Sequence, residues 1–217
     1  MIFRLKIDTL KRTKKKDINM LKKENVVVFD FDGTLSASDS NYEFFKYAFK
    51  HSIRPWLFLP VVIAGGIAAK LNHNGIWWRE HIRNFVTKKM VHNFSENVIK
   101  IHKQNRFGWA KDQVAKEKKA GNKVILISAS PNYLIPELVS DMKFDAIMCS
   151  QMDENKPYKY KFLCWGKNKV IALDNWARDN KIIPNVVRAY SDSKYDMPIM
   201  EIAKEQVWID PKTGLRK

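Results

Sequence analysis

Three short runs of this chain are apolar at nearly every position rather than at alternate ones: Val26-Val27-Val28-Phe29, Val124-Ile125-Leu126-Ile127 and Val186-Val187-Arg188-Ala189-Tyr190. Such runs predict strands buried by the rest of the chain. The first is expected over Asn25–Phe31, the second over Lys123–Ser128 after a Gly121-Asn122 turn, and the third over Val186–Ser191. Shorter strands are expected at Phe144–Met148 and Gln206–Ile209, while Tyr158–Leu163 reads as a strand or part of a hairpin. Apolar positions at helical spacing (Val170, Leu173, Trp176 and Ala177) predict a helix over Asn168–Asp179. Helices are also expected over Pro131–Asp141 and Met197–Lys204.

Between the first two strands the pattern changes. Residues 36–119 are rich in aromatic and basic residues and lack strand-like alternation. They predict several helices, interrupted at Pro55, Pro60 and Gly65-Gly66. Strands alternating with helices imply an α/β fold with a doubly wound, Rossmann-like parallel sheet. A helical block this long exceeds a simple crossover. It is therefore expected to form an inserted α-helical cap, residues 36–119, on a core made of residues 25–35 and 120–217.

Charge adds a partner. Lys and Arg number 39 against 23 Asp and Glu, a formal net charge of +16. That excess favours an anionic partner such as a phosphorylated substrate, an anionic membrane surface or nucleic acid. Nucleic acid has no further support, because no compact aromatic and basic RNA motif is present. Residues 1–24 hold nine Lys or Arg and no apolar core of a signal peptide, so they read as a basic leader; Met20 is an alternative start. Cys149 and Cys164 fit no disulfide or metal pattern and are expected to be free thiols. The five histidines (His51, His73, His81, His92 and His102) show no ligand pairing and read as incidental.

The chemistry concentrates where strands end. The first apolar run stops in Asp30-Phe31-Asp32-Gly33-Thr34. Residues two apart on a strand share a face, so Asp30 and Asp32 are expected to converge at its C-terminal edge. Open α/β sheets bind ligands along that edge. Two carboxylates there can hold a hard cation or divide nucleophilic and acid–base roles. Ser128-Ala129-Ser130-Pro131 follows the second strand. Ser191-Asp192-Ser193-Lys194-Tyr195-Asp196 follows the third, and Gly166-Lys167-Asn168-Lys169 opens a helix between them.

These four motifs, in this order, resemble those of the haloacid dehalogenase superfamily, in its phosphoserine-phosphatase-like branch with a helical cap. The resemblance runs from about Val26 to Ile209. It implies a phosphatase in which Asp30 attacks phosphorus and forms an aspartyl-phosphate, while Asp32 serves as general acid and then base. Thr34 would orient Asp32. Mg²⁺ would lie between the Asp30 and Asp192 carboxylates and the Asp32 carbonyl. Ser128 and Lys169 would bind and neutralise the phosphoryl group, with Lys169 preferred over Lys167 on spacing. Gly33 would contribute to a backbone cradle, and Asp196 and Ser193 would act from behind the site. Ser130, Asp39 and Arg83 are further candidates for substrate contact, although Asp39 also suits a helix cap.

The cap bears on the substrate. Trp56–Ala69 carries no charge and is shorter than the roughly 20 residues a membrane-spanning helix needs. It reads either as a buried cap helix or as a segment lying in a bilayer interface. Trp77-Trp78-Arg79 and Lys88-Lys89 suit a membrane boundary or ordinary packing between cap helices. Arg54-Pro55 before the apolar run, Ser150-Gln151, Tyr190-Ser191-Asp192-Ser193 and Trp208 also resemble bacterial phosphatidylglycerophosphatases of the C type. That likeness implies phosphatidylglycerophosphate as substrate at the cytoplasmic face of the inner membrane, with an anionic phospholipid surface as partner. The alternatives are a soluble phosphatase for a small metabolite such as phosphoserine, and a basic binding module without turnover.

Overall fold

The computed structural model describes residues 21–71 and 76–217, without the side chains of 68–70 and 76–78. The expected leader up to residue 20 and His73 therefore lie outside the described residues, as do the Trp77 and Trp78 side chains. Among the described residues, six strands form one sheet: β1 (Lys22–Phe29), β2 (Lys123–Pro131), β3 (Ala146–Met152), β4 (Tyr160–Phe162), β5 (Ile182–Ser191) and β6 (Glu205–Trp208). Their order is β4-β3-β2-β1-β5-β6, parallel throughout except for β4, which pairs antiparallel with β3. This is the expected α/β fold, and the segment Tyr158–Leu163, expected as a strand or part of a hairpin, supplies the edge strand β4 antiparallel to the preceding β3.

The continuous apolar runs have a simple cause. In β1, Val27 and Phe29 enter one core while Val26 and Val28 enter another on the opposite face. In β2, Val124 and Leu126 join the first core, and Ile125 and Ile127 the second. Helices cover both faces, so alternation disappears. Phe29 stacks on Tyr190 of β5 with ring centroids 4.2 Å apart, tying the central strands together on one face.

Among the described residues, six helices separate β1 from β2. They are α1 (Ser40–His51), α2 (Arg54–Leu57), α3 (Leu59–Leu71), α4 (Ile76–Ile82), α5 (Lys88–Gln104) and α6 (Ala110–Lys119). α6 packs on β2 and places Ala110 and Val114 in the sheet's core. α1 packs against α5 through Phe44, Tyr47 and Phe94. The remaining helices are α7 (Ile135–Leu138), α8 (Lys167–Asp179) and α9 (Met197–Met200), with a 3₁₀ turn at Lys194–Asp196.

Several boundaries differ from expectation. β1 begins at Lys22, because Lys22–Glu24 still pair with Ile182–Pro184 of β5. It ends at Phe29 rather than Phe31, because the Phe31 carbonyl turns to accept the amides of Thr34, Leu35 and Ser36. Gly65-Gly66 does not interrupt α3, and Pro60 sits in its first turn, where no intrahelical N–H is needed. The helix expected over Pro131–Asp141 shrinks to Ile135–Leu138, since Pro131 continues β2 beside Ser150 and Asn132 bonds Met152. The helix at Met197 stops at Met200, since the Lys204 amide already bonds Val186 of β5.

Candidate active site

The end of β1 anchors the site. The Asp30 amide keeps the sheet register by donating to Tyr190 O at 3.0 Å, and Phe31 then buries in the core. Asp30 and Asp32 leave on either side of it and reach different partners. The i, i+2 expectation places them together, but the strand has already ended, so they share a site without sharing contacts.

Asp30 faces Lys169, which is buried in the first turn of α8. The Lys169 ammonium lies 2.8 Å from Asp30 Oδ1 and 2.7 Å from Asp196 Oδ2. Asp196 is buried too and accepts the Ser191 hydroxyl at 2.7 Å. Burial pushes the Asp30 carboxyl well above the usual range, and Lys169 pulls against it. Burial disfavours the lysine's charge, yet Asp30 and Asp196 hold its pKa above the ordinary value. Lys167, the other candidate, is exposed.

Asp32 is held from the opposite side. Its Oδ1 accepts the Ser40 amide at 2.6 Å, and its Oδ2 accepts the Ser130 hydroxyl at 2.5 Å. The Ser40 hydroxyl lies 3.1 Å from Asp32 Oδ2 and 2.7 Å from Ser130 Oγ. Ser40 is the first residue of α1, so this helix N-terminus points at a carboxylate, a favourable end for negative charge. Ser128 lies buried behind Ser130, and its hydroxyl accepts the Ser130 amide at 3.1 Å.

Thr34 corrects an expectation. The family resemblance implies that it orients Asp32, but its hydroxyl donates to Asp192 Oδ1 at 3.2 Å and accepts the Asp192 amide at 3.0 Å. The tight turn after Phe31 swings Thr34 towards the end of β5. Gly33 differs as well. Its amide donates to Ser36 O at 2.8 Å and is therefore already engaged. What the position requires is space: φ is +73°, and a Cβ there would lie 2.4 Å from Asp192 Oδ2.

The remaining candidates divide. Asp39 caps α1, accepting the Tyr42 amide at 2.8 Å. Ser193 caps the 3₁₀ turn through the Tyr195 amide at 3.3 Å. Arg83 follows α4, is 3% exposed, and reaches the site through Asn41. Its Nη1 donates to Asn41 Oδ1 at 2.5 Å, Asn41 Nδ2 donates to Ser130 Oγ at 3.0 Å, and Nη2 donates to the Tyr133 hydroxyl. Phe45 and Tyr160 lie under its guanidinium at 5.5 and 5.7 Å. Among the described residues no carboxylate lies within ion-pair distance of this buried cation.

Sequence reasoning missed Ser40, Asn41 and Ser191 as parts of the site. Ser40 and Asn41 lie in the first turn of α1, beside Asp39, and Ser191 ends β5 just before Asp192. Cys149 and Cys164 are free thiols, as expected, and both are buried. Burial pushes their thiols up to about 11 and about 12, so neither is a ready nucleophile.

The donor set bears on a metal ion. Among the described residues no three His, Cys, Asp or Glu side chains form a cluster able to hold a metal ion. Asp30 and Asp196 nonetheless share a single ammonium, and the charge of Asp32 also acts on Asp30. Burial raises Asp192 above the usual carboxylate range, and Asp196 and Lys169 both act on its charge. Such an excess of buried carboxylate oxygen suits a hard cation held by two carboxylates, with its remaining positions left to phosphate and water.

The chain belongs to the haloacid dehalogenase-like hydrolases. The sequence profile of that family matches residues 27–201. A probable phosphatase of Mycobacterium tuberculosis is 28% identical over 114 residues, 51% of this chain and 40% of that protein. This chain thus spans less than half the length of the curated relative it matches. Among solved structures, a protein of unknown function from Bordetella pertussis Tohama I has a TM-score of 0.70 at 16% identity, covering 89% of this chain and 93% of its own. A substrate-bound phosphoserine phosphatase has a TM-score of 0.64 at 16% identity, covering 87% of each chain. A phosphoserine phosphatase captured as a phospho-aspartyl intermediate analogue has a TM-score of 0.62, again at 16% identity and 87% of each chain. At these identities the structural likeness establishes the shared fold.

Proposed function

We propose that this hydrolase is a phosphomonoester phosphatase that works through an aspartyl-phosphate on Asp30. The observation that carries the reading is Lys169, buried between Asp30 and Asp196 at the sheet's C-terminal edge. A fully buried lysine is rare unless paired, and here its charge both orients the nucleophile and balances an incoming phosphoryl group. Asp30 Oδ attacks phosphorus as the bond to the leaving oxygen breaks, and the Asp32 carboxyl delivers its proton to that oxygen. The Asp32 carboxylate then takes a proton from water as the water oxygen attacks phosphorus, releasing inorganic phosphate and restoring Asp30. Ser128 and Lys169 hold phosphoryl oxygens. Asp30, Asp192 and the Asp32 carbonyl would hold Mg²⁺, whose positive charge offsets that of the phosphoryl group. In this reading α1 to α5 form the cap over the site. Arg83, Asn41 and Ser130 line the substrate's side, and Arg83 gains a counter-charge when an anionic substrate is bound.

The substrate we favour is an anionic phospholipid monoester, with phosphatidylglycerophosphate as the leading candidate, at the cytoplasmic face of a bacterial inner membrane. The exposed face of α2 and α3 supports this. Leu57 is 72% exposed, Ile63 54% and Ile67 57%, and Ile53, Trp56, Val61 and Leu71 are exposed beside them. Phe58 and Val62 face the core instead. Contiguous apolar surface on a strongly basic chain suits an anionic lipid interface. No helix among the described residues is long and apolar enough to cross a membrane, so the contact would be interfacial.

The test is phosphate release from phosphatidylglycerophosphate in liposomes against soluble phosphoesters, with and without Mg²⁺. The lipid reading expects the liposome substrate to be preferred and chelation to abolish turnover. Hydrolysis of soluble esters alone, with no response to liposomes, would replace it with the small-metabolite phosphatase.

A further inference from the structure

His102 lies in the last turn of α5 and is 1% exposed. Its ring stacks on Phe31, between the two aspartates, with centroids 5.2 Å apart and planes at 25°. Nδ1 lies 3.1 Å from the Ser36 hydroxyl. Nε2 is buried, has no hydrogen-bond partner among the described residues, and lies 3.5 Å from Asp32 Oδ1. A buried polar atom left in this state calls for a reason.

The geometry points to His102 as a positioning residue that fixes which oxygen of Asp32 carries the transferable proton. The Ser36 hydroxyl can donate to Nδ1 or to Asn105 O, 3.3 Å away; when it donates to Nδ1, the ring's proton sits on Nε2 and faces Oδ1. A bare nitrogen lone pair opposite an ionised carboxylate would be repelled, so this tautomer is the consistent one. The separation is a few tenths of an ångström beyond a hydrogen bond of about 3 Å, within reach of a small side-chain adjustment. The two Asp32 oxygens then face different groups. Among the described residues, Oδ1 meets donors, the Ser40 amide and His102 Nε2–H. Oδ2 meets only hydroxyls, Ser40 and Ser130, which can give or take a proton. An oxygen facing two N–H donors cannot hold the acid proton, so Oδ2 carries it. His102 thereby aims the general acid without touching substrate. This deepens the proposed mechanism and rests on Asp32 being the acid.

Leaving-group dependence separates aim from mere stability. An alkyl leaving oxygen needs the proton as the P–O bond breaks, whereas p-nitrophenolate leaves without one. The experiment compares kcat/KM for glycerol phosphate and p-nitrophenyl phosphate across four variants. His102→Leu should lower the first about tenfold or more and the second less than about threefold, with KM little changed. His102→Gln, which keeps a donor, should recover much of the loss. Asp32→Asn serves as the reference and should show the same ester dependence more strongly. Equal losses on both esters with His102→Leu, or no loss on either, would overturn the inference while Asp32→Asn keeps its pattern. Equal losses with Asp32→Asn would instead overturn the acid role itself, and the inference with it. Should His102→Leu fail to fold, His102→Phe carries the same test, since it keeps a ring against Phe31 and removes the donor. Ester-dependent loss supports the assignment, and equal loss or none overturns it.

Discussion

The end of β1 and the outer face of α3 handle water in opposite ways. At the strand end, charged groups are buried and matched to named partners: Asp30 and Asp196 to Lys169, Asp192 to Thr34, and Asp32 to Ser40 and Ser130. Along α2 and α3, large apolar side chains stand in solvent, and the one arginine, Arg54, turns inward to bond Phe85 O at 2.9 Å. Buried charge is tolerated only where partners are in place, so the first region is committed to one arrangement. Exposed apolar area gains from any surface that covers it, so the second is committed only to a class of surface. Chemistry is therefore legible at the strand end, and the partner has to be read from α3.

The largest effect should come from the nucleophile. Asp30→Asn is expected to lower turnover by at least about 10³-fold on every phosphoester, measured as steady-state phosphate release. Retained hydrolysis would remove the basis for treating the strand end as the reacting centre.

Lys169→Met should come next and should affect fold and chemistry together. It leaves Asp30 and Asp196 facing each other without a cation, a loss of about 3–5 kcal/mol in urea unfolding. A soluble, fully stable and fully active variant would mean that the buried ion network does not organise the site.

The outer face should respond in the reverse way. Leu57→Glu, Ile63→Glu and Ile67→Glu, singly or combined, are expected to weaken co-sedimentation with anionic vesicles about tenfold for the set. Hydrolysis of p-nitrophenyl phosphate should be unchanged, and stability should move by no more than about 0.5 kcal/mol each. Loss of soluble activity would mean that α3 supports the site rather than a lipid contact.

The smallest effect belongs to Ser191. Ser191→Gly removes the hydroxyl's hydrogen bonds to Asp196 and from the Ser193 amide and should cost about 1–2 kcal/mol in thermal or urea unfolding, with a modest fall in kcat.

The sheet was legible because β1 and β2 are buried on both faces, which leaves a continuous apolar signature at Val26–Phe29 and Val124–Ile127. Asp30, Lys169 and Asp192 were legible because each follows a recognisable strand end or helix start. Thr34 was misread because its partner depends on a turn made by the Phe31 carbonyl, which spacing along a strand does not encode. His102 reads as incidental because the histidines show no ligand pairing in the sequence; it lies 70 residues from Asp32 along the chain, and the packing of α5 over Phe31 brings it near. The α3 segment was ambiguous for another reason. Apolar composition alone fits a buried helix and an interfacial one equally well, and only the exposure of Leu57, Ile63 and Ile67 separates them.

The central claim is that Asp30 becomes covalently phosphorylated during turnover. Acid quench of the enzyme with substrate, followed by proteolysis and mass spectrometry, tests it directly. The account predicts one phosphoryl group on the peptide containing Asp30, labile to hydroxylamine and absent in Asp30→Asn. Rapid turnover with no phosphorylated peptide, or a phosphoryl group on any other residue, would contradict it.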